Sequence, residues 1–345
     1  MVRLGKGLST FLTFWAIQFL ILVTLLLLIY NRRETTKFTH PIKTMINGTV
    51  NNENGQETKN VTECPRVVTE LHELVGYKIT SLKASSLEEI ETRHPDVTSG
   101  GSWSPRDCQP RSRALIIIPF RDRWPHLVRW FENYLPIFKR QKLDFRIVLT
   151  EQYGNSTFNK GRIMNAAFTE SWKIFHFDCV IFHDVDMLLE NDHNLYHCRD
   201  LPTHLSPSVS KFGYDTMYDT LIGGVISFPV AAYFKVNGYS NLYWGWGGED
   251  DDMYTRLKQS KLKLQRPPQI IGRYKMIVHK QREWVLFKRE MDSLLAGTKS
   301  RYRQDGLSNV KYKLVGKKTR KLFTHFTFDI GVWEHEGRTE NIKGQ

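Results

Sequence analysis

Apolar residues are arranged in three different ways along this chain. Leu8–Tyr30 is an almost unbroken apolar run, with no charge between Gly7 and Asn31, and at 1.5 Å per residue one helix of that length crosses a bilayer. The run passes directly into Asn31-Arg32-Arg33, whereas a cleaved signal peptide, the competing reading, has a shorter apolar core ending in small residues. Residues 31–63 are polar and rich in Asn, Thr, Glu and Lys; they bury too little to offset the entropy of ordering and are expected to be a flexible stem. From Cys64 onward, short β-branched runs alternate with helical patterns. Ala114-Leu-Ile-Ile-Ile-Pro119 predicts a buried strand, followed by the polar turn Arg121-Asp-Arg and a helix around Trp124–Phe138. Phe145-Arg-Ile-Val-Leu-Thr150 predicts a second strand, Gly161–Phe175 a second helix, and Asp178-Cys-Val-Ile-Phe182 a third strand. This alternation argues for an α/β fold with a mostly parallel central sheet. No linker rich in Pro, Gly or Ser interrupts residues 64–345, which are expected to form one domain.

Charges beside the apolar run do not orient it, because Arg3 and Lys6 on one side face Arg32 and Arg33 on the other. Three sequons follow the run, at Asn47-Gly-Thr, Asn60-Val-Thr and Asn155-Ser-Thr, and such triplets are glycosylated only on the lumenal side. All four cysteines (Cys64, Cys108, Cys179, Cys198) also follow it. An even, sparse count without a C-x-x-C pair fits two disulfides in an oxidising compartment better than a zinc site. The expected organisation is a single-pass type II membrane protein, with a cytosolic tail over 1–7, a transmembrane signal-anchor over 8–30, a lumenal stem over 31–63 and a lumenal body over 64–345. Net charge is +13, and Thr255–Lys321 alone holds 20 Lys and Arg against 4 Asp and Glu. A lumenal domain meets no nucleic acid, so a phosphorylated small molecule, acidic glycans, an anionic membrane surface or a merely solvated face are the readings left.

The candidate chemistry is acidic. Trp244-Gly-Trp-Gly-Gly-Glu-Asp-Asp-Asp252 places four consecutive carboxylates after aromatics and glycines. Crowded carboxylates repel, and burial raises their pKa, so the cluster needs a metal, hydrogen-bond donors or a proton-giving substrate beside it. A solvated acidic loop or helix start is the plain alternative, against which stands the Trp pair, whose flat faces suit stacking on a sugar. Asp184-Val-Asp186 directly follows the third strand, where open α/β sheets bind ligands. Two carboxylates one residue apart can share a divalent cation with a diphosphate or ribose, and a metal on a departing diphosphate lowers the barrier by several kcal/mol.

Several ordered motifs together resemble the β-1,4-galactosyltransferase family of Golgi enzymes over roughly Cys64 to Gly331. They are Ile116-Ile-Ile-Pro-Phe-Arg121, Phe158-Asn-Lys-Gly-Arg162, Phe182-His-Asp-Val-Asp186, Asn191-Asp-His-Asn194, Gly223-Gly224, the Trp244–Asp252 block, Met276-Ile-Val-His279 and Asp305-Gly-Leu307. The resemblance implies a GT-A fold and Mn2+-dependent inverting transfer from a UDP-sugar to the 4-hydroxyl of a terminal β-linked N-acetylglucosamine (GlcNAc) on glycoprotein or glycolipid glycans. By similarity Asp186, Met276 and His279 bind the metal, although softness rules alone would leave the Met276 thioether in the core. Pro119, Phe120, Arg121, Arg123, Phe158, Lys160, Asp184, Val185 and Asp186 would contact the donor, and Trp246 would close over its diphosphate. Asp250 would be the catalytic base, Glu249 and Asp251 would orient the acceptor, and Phe212 and Tyr218 would wall it. Lys280–Arg303 has the position of a lid that orders after donor and metal bind. The cysteine order implies bridges Cys64–Cys108 and Cys179–Cys198, the second bracing the Asp184-Val-Asp186 edge.

Departures from the family concern the donor. Galactosyl-transferring members carry a Tyr where this chain has Leu221, two residues before Gly223, and its hydroxyl crowds the sugar's 2-substituent. Leu221 leaves room for an N-acetyl group, as in invertebrate members resembling N-acetylgalactosaminyltransferases, and the expectation is UDP-GalNAc over UDP-Gal. Asp122, where Asn is usual, and Lys160-Gly161, where Arg-Ala is common, are tolerable changes. Readings of other classes are a non-catalytic membrane-anchored glycan-binding protein and a basic polyanion binder. Nothing in the sequence specifies an accessory membrane subunit.

Overall fold

The computed structural model describes residues 62–65, 71, 85–278 and 288–333. The expected anchor 8–30, all but the last two residues of the stem, Asn47, Asn60, His279 and residues 280–287 of the expected lid lie outside the described residues. No described helix is long and apolar enough to cross a membrane.

The chain order is α1 (Leu87–Arg93), β1 (Ser102–Trp103), β2 (Arg113–Phe120), α2 (Trp124–Arg140), β3 (Asp144–Gln152), α3 (Lys160–Ile174), β4 (Cys179–His183) and β5 (Met187–Leu189). Then come β6 (Thr203–His204), β7 (Ser208–Val209), β8 (Val225–Pro229), α4 (Val230–Lys235), α5 (Glu249–Gln259), β9 (Arg273–Met276), α6 (Lys288–Arg301), β10 (Lys313–Thr319) and β11 (Thr324–Asp329). Every β2 residue after Arg113 is buried, as a strand covered on both faces requires. Ala114, Ile116 and Ile118 face the core built with Trp130, Phe131 and Phe138 of α2, while Leu115 and Ile117 face the core built with Ile163, Ala167 and Phe168 of α3. Asn159 caps α3 by accepting the Arg162 N–H at 2.9 Å.

The main sheet runs β10-β11-β3-β2-β4-β8-β6, with β1 paired to β3. Its centre is parallel, as expected: β11 with β3, β3 with β2, and β2 with β4. The edges are not. β10 and β11 form an antiparallel hairpin, and β8 and β6 add antiparallel beyond β4, so the sheet is mixed rather than mostly parallel. A small second sheet, β5-β9-β7, sets Met276 opposite Met187. Both expected disulfides are formed. Cys179 begins β4, so its bridge to Cys198 clamps the amino end of that strand, away from Asp184, and closes the loop that carries the acidic edge.

Candidate active site

Asp184 follows β4 in a turn set by two backbone bonds, its own N–H to the Gly224 carbonyl (3.0 Å) and the Met187 N–H to its carbonyl (3.2 Å). Lys160, opening α3, lies 2.7 Å from the Asp184 carboxylate and 3.5 Å from Glu249; these partners hold its ammonium charged despite burial. Burial pushes Asp184 up to about 6, Lys160 opposing and Asp186 adding to the rise. Beneath, fully buried His183 accepts from the Trp130 indole at Nδ1 (3.1 Å) and meets the Tyr196 hydroxyl at Nε2 (3.0 Å). Burial lowers its pKa to about 3, so it supports the turn as a neutral ring. The Ile277 N–H donates to the Asp186 carbonyl at 2.8 Å, which draws the end of β9, with Met276, alongside Asp186.

The acidic run begins a helix rather than a loop. Gly245, Gly247 and Gly248 take φ of 89°, 93° and 89°, a left-handed conformation that suits glycine, and they turn the chain into α5 with all four carboxylates in its first turn, where the helix dipole favours them. At about 100° per residue the four side chains leave in four directions. Glu249 meets Lys160. Asp250 lies against the backbone of Gly223, where an added Cβ would sit 2.7 Å from its Oδ2. Burial, with the neighbouring Asp251 charge, pushes Asp250 up to about 6. Asp251 accepts from the Tyr218 hydroxyl, which eases the upward push of its own burial. Tyr218 is correspondingly held protonated well above its ordinary range, through burial and these carboxylates.

Asp252 points away into the protein. It is fully buried and accepts from Arg256 Nε (2.5 Å), Thr298 Oγ1 (2.7 Å), the Tyr243 hydroxyl (3.1 Å) and Arg301. Arg256, also fully buried, reaches Asp305 Oδ2 at 3.1 Å and its carbonyl at 2.6 Å. This network ties α5 to α6 and to the Asp305-Gly-Leu307 motif. It was missed in the sequence, although Asp252/Arg256 and Arg301/Asp305 both have the i,i+4 spacing of helical ion pairs. Of the arginines of the basic segment, Arg256 is therefore internal, Arg301 is half-buried in the same network, and Arg273 pairs with Glu190 at 3.0 Å; the exposed lysines of β10, Lys313, Lys317 and Lys318, are a separate edge.

An open cleft is lined by Pro119, Arg121, Arg123, Phe158, Lys160, Asp184, Val185, Asp186, Trp246 and Glu249. Phe120 is a correction: it is 1% exposed and packs edge-on to Trp124, so it supports the wall from behind. A narrow crevice continues past Lys160 and Asp184 to Gly223 and Asp250. Leu221 also lies beside Gly223, its Cδ1 3.9 Å from where an added Cβ would stand. Phe212 sits half-buried on a 3-10 turn against the core, with Lys211 over its ring. Asn155 is exposed between β3 and α3. Among the described residues no three His, Cys, Asp or Glu side chains converge as a metal cage.

Gly223→Ala is expected to leave the fold intact, because only the mobile end of Asp250 must yield. The displaced carboxylate should lower catalytic turnover about 100-fold, the order that a 1 Å misplacement costs. Turnover and melting temperature measured on the same preparation check this; unchanged turnover would mean that Asp250 is not working from this position.

Residues 64–199 match the family model for the N-terminal region of glycosyl transferase group 7, and residues 203–280 match the model described as the N-terminal domain of galactosyltransferase. The chain is 41% identical over 248 residues to β-1,4-galactosyltransferase 3 of Rattus norvegicus, a match covering 72% of this chain and 63% of that protein. Identity to β-1,4-galactosyltransferase 5 of Danio rerio is 38% over 272 residues, 77% of this chain and 70% of the relative. The catalytic domain of Drosophila β-1,4-galactosyltransferase 7, solved with xylobiose, superposes with a TM-score of 0.54 at 26% identity, covering 64% of this chain and 95% of that one. A variant of the same enzyme with manganese, UDP-Gal and xylobiose gives 0.55, with the same identity and coverage. The two matched models run almost continuously through the acidic turn, the cleft and α5, and with the Danio rerio relative, covered to 70% at 38% identity, they show that the chain belongs to the β-1,4-galactosyltransferase family.

Proposed function

We propose that the protein is an inverting, Mn2+-dependent glycosyltransferase of GT-A type that moves GalNAc from UDP-GalNAc to the 4-hydroxyl of a terminal β-linked GlcNAc, making GalNAcβ1-4GlcNAc. The observation that carries this reading is the cleft itself, in which the expected donor residues meet the Asp250 carboxylate across Lys160 and Gly223.

In the reaction the acceptor 4-hydroxyl attacks the anomeric carbon, its proton passes to Asp250, and the bond from that carbon to the diphosphate breaks on the opposite face. A carboxyl pushed to about 6 is basic enough to take that proton yet ionised at neutral pH. Glu249 and Asp251 orient the acceptor by accepting from its hydroxyls, Tyr218 anchors Asp251, and Lys160 gives positive charge next to the departing phosphates. Asp186, Met276 and His279 would hold the metal. The described donors fit it: Asp184 and Asp186 crowd each other in a partly buried turn that gains by a cation, and Met276 is drawn to the same edge. When bound, Mn2+ supplies charge to the leaving diphosphate.

The anchor run, the sequons and the two disulfides support a Golgi membrane location, type II, with the catalytic domain lumenal. Leu221, packed beside Gly223 and so near Asp250, supports the choice of GalNAc; UDP-Gal is the alternative donor. Leu221→Tyr tests the choice. It is expected to turn the preference toward UDP-Gal by 10-fold or more, because a polar, bulkier side chain replaces space for the N-acetyl group. An unchanged ratio of the two kcat/KM values would overturn the donor reading.

A further inference from the structure

The segment that carries Leu221 is exposed from Met217 to Thr220 and has no regular structure. A connector from another part of the chain holds it. Arg266 donates from Nη2 to the carbonyls of both Asp219 (2.6 Å) and Leu221 (3.2 Å), and from Nε to His204 Nδ1 at 3.4 Å. His204 is fully buried. Since its Nδ1 accepts from an arginine, its Nε2 carries the proton, and it donates to the Gly223 carbonyl at 2.9 Å. Ser206 Oγ adds a second donor to that carbonyl at 3.2 Å and accepts the Val225 N–H at 2.8 Å. The planar fork of arginine sets Nε on His204 while Nη2 meets both carbonyls, two directions held at once that a lysine's point-like ammonium cannot reproduce.

The connector is itself fixed. The Gln265 N–H donates to the Pro202 carbonyl (2.8 Å), its carbonyl accepts the His204 N–H (2.9 Å), and Pro267 and Pro268 follow Arg266 directly. A residue before proline is confined to extended backbone, so the guanidinium is presented from a rigid base. Its targets lie on both sides of the specificity position, and Gly223, the last of them, is the residue against which Asp250 rests.

We propose that Arg266 is a positioning residue for donor choice: acting directly on Asp219 and Leu221, and through His204 on Gly223, it fixes the backbone that aims Leu221 at the donor's 2-substituent. This rests on the reading of Leu221 given above. Released from the clamp, the segment samples positions in which residue 221 neither makes room for an N-acetyl group nor excludes it, and selectivity relaxes toward parity.

The test measures kcat/KM for UDP-GalNAc and UDP-Gal with the full chain and with Arg266→Ala, Arg266→Lys, Leu221→Tyr and the double variant. Arg266 is exposed, so its removal is compatible with folding, and a thermal melt verifies this. Arg266→Ala is expected to lower the GalNAc-to-Gal ratio about 5- to 10-fold, with the acceptor KM unchanged and Arg266→Lys intermediate. In the Leu221→Tyr background the same change should move the ratio the opposite way, again toward parity. A purely structural role would lower both donors alike. A ratio unmoved by Arg266→Ala while Leu221→Tyr shifts it would overturn the clamp and leave the donor reading standing; a ratio unmoved by Leu221→Tyr would remove the reading on which the clamp rests.

Discussion

Asp250→Asn is expected to reduce transfer about 1,000-fold, within the range set by loss of a general base, and to make the protein more stable. Asn keeps the shape of the side chain and removes both the basic oxygen and the charge. The wild-type rate should rise with pH through about 6, where burial and the Asp251 charge place the Asp250 carboxyl, because only the ionised form accepts the acceptor's proton; the residual rate of the variant should lack that step. Stability runs the other way. A carboxyl whose folded pKa lies above its ordinary 3.8 favours the folded state most below that ordinary value and loses the contribution as pH rises through about 6. At neutral pH the charged group is therefore a cost. The displacement corresponds to about 3 kcal/mol, and the water that still reaches this half-buried side chain reduces it to roughly 1–2 kcal/mol. Melting at pH 7.5 should rise by a few degrees in Asp250→Asn and converge with wild type near pH 4. A variant that lost activity and stability together would point to a structural role.

Arg256→Ala is the opposite case, with the largest expected effect on stability. Arg256 is fully buried between Asp252 and Asp305, and its Nη1 also donates to the Gly238 carbonyl at 3.1 Å. Truncation leaves two buried carboxylates sharing Arg301 alone among the arginines of this network, and breaking such a pair costs about 3–5 kcal/mol. Urea or thermal denaturation should show a loss near 10 °C in melting temperature. A melt within a degree or two of wild type would mean that solvent enters and rescues the site.

The two variants mark where the sequence was legible. The β2 and β3 strands were readable because Ala114–Phe120 and the Phe145, Ile147–Thr150 positions are too apolar or β-branched to lie on a surface, and α2 because Trp130, Tyr134 and Phe138 recur at helical spacing. The antiparallel edges were not: β6 has two residues, and the Lys-rich alternation of β10 reads as a basic segment until its hairpin with β11 is seen. Of the residues expected to contact the donor, all but Phe120 line one cleft, because each sits in a short contiguous motif at a strand or helix end. What could not be read was the helical phase of the acidic run, which sends Asp250 to the cleft and Asp252 into the interior. Nor could the sequence reveal Arg266, whose partners lie about 45 residues away along the chain.

The proposed activity is metal-dependent transfer of a sugar from a UDP donor to GlcNAc in this cleft. The most direct measurement is transfer by the full chain from UDP-GalNAc and UDP-Gal, side by side, to a β-linked GlcNAc acceptor, with and without Mn2+. The expected result is a β1-4-linked product that forms only with the metal and faster from UDP-GalNAc. Transfer to no GlcNAc acceptor from either donor, by protein that is folded and supplied with Mn2+, would contradict it.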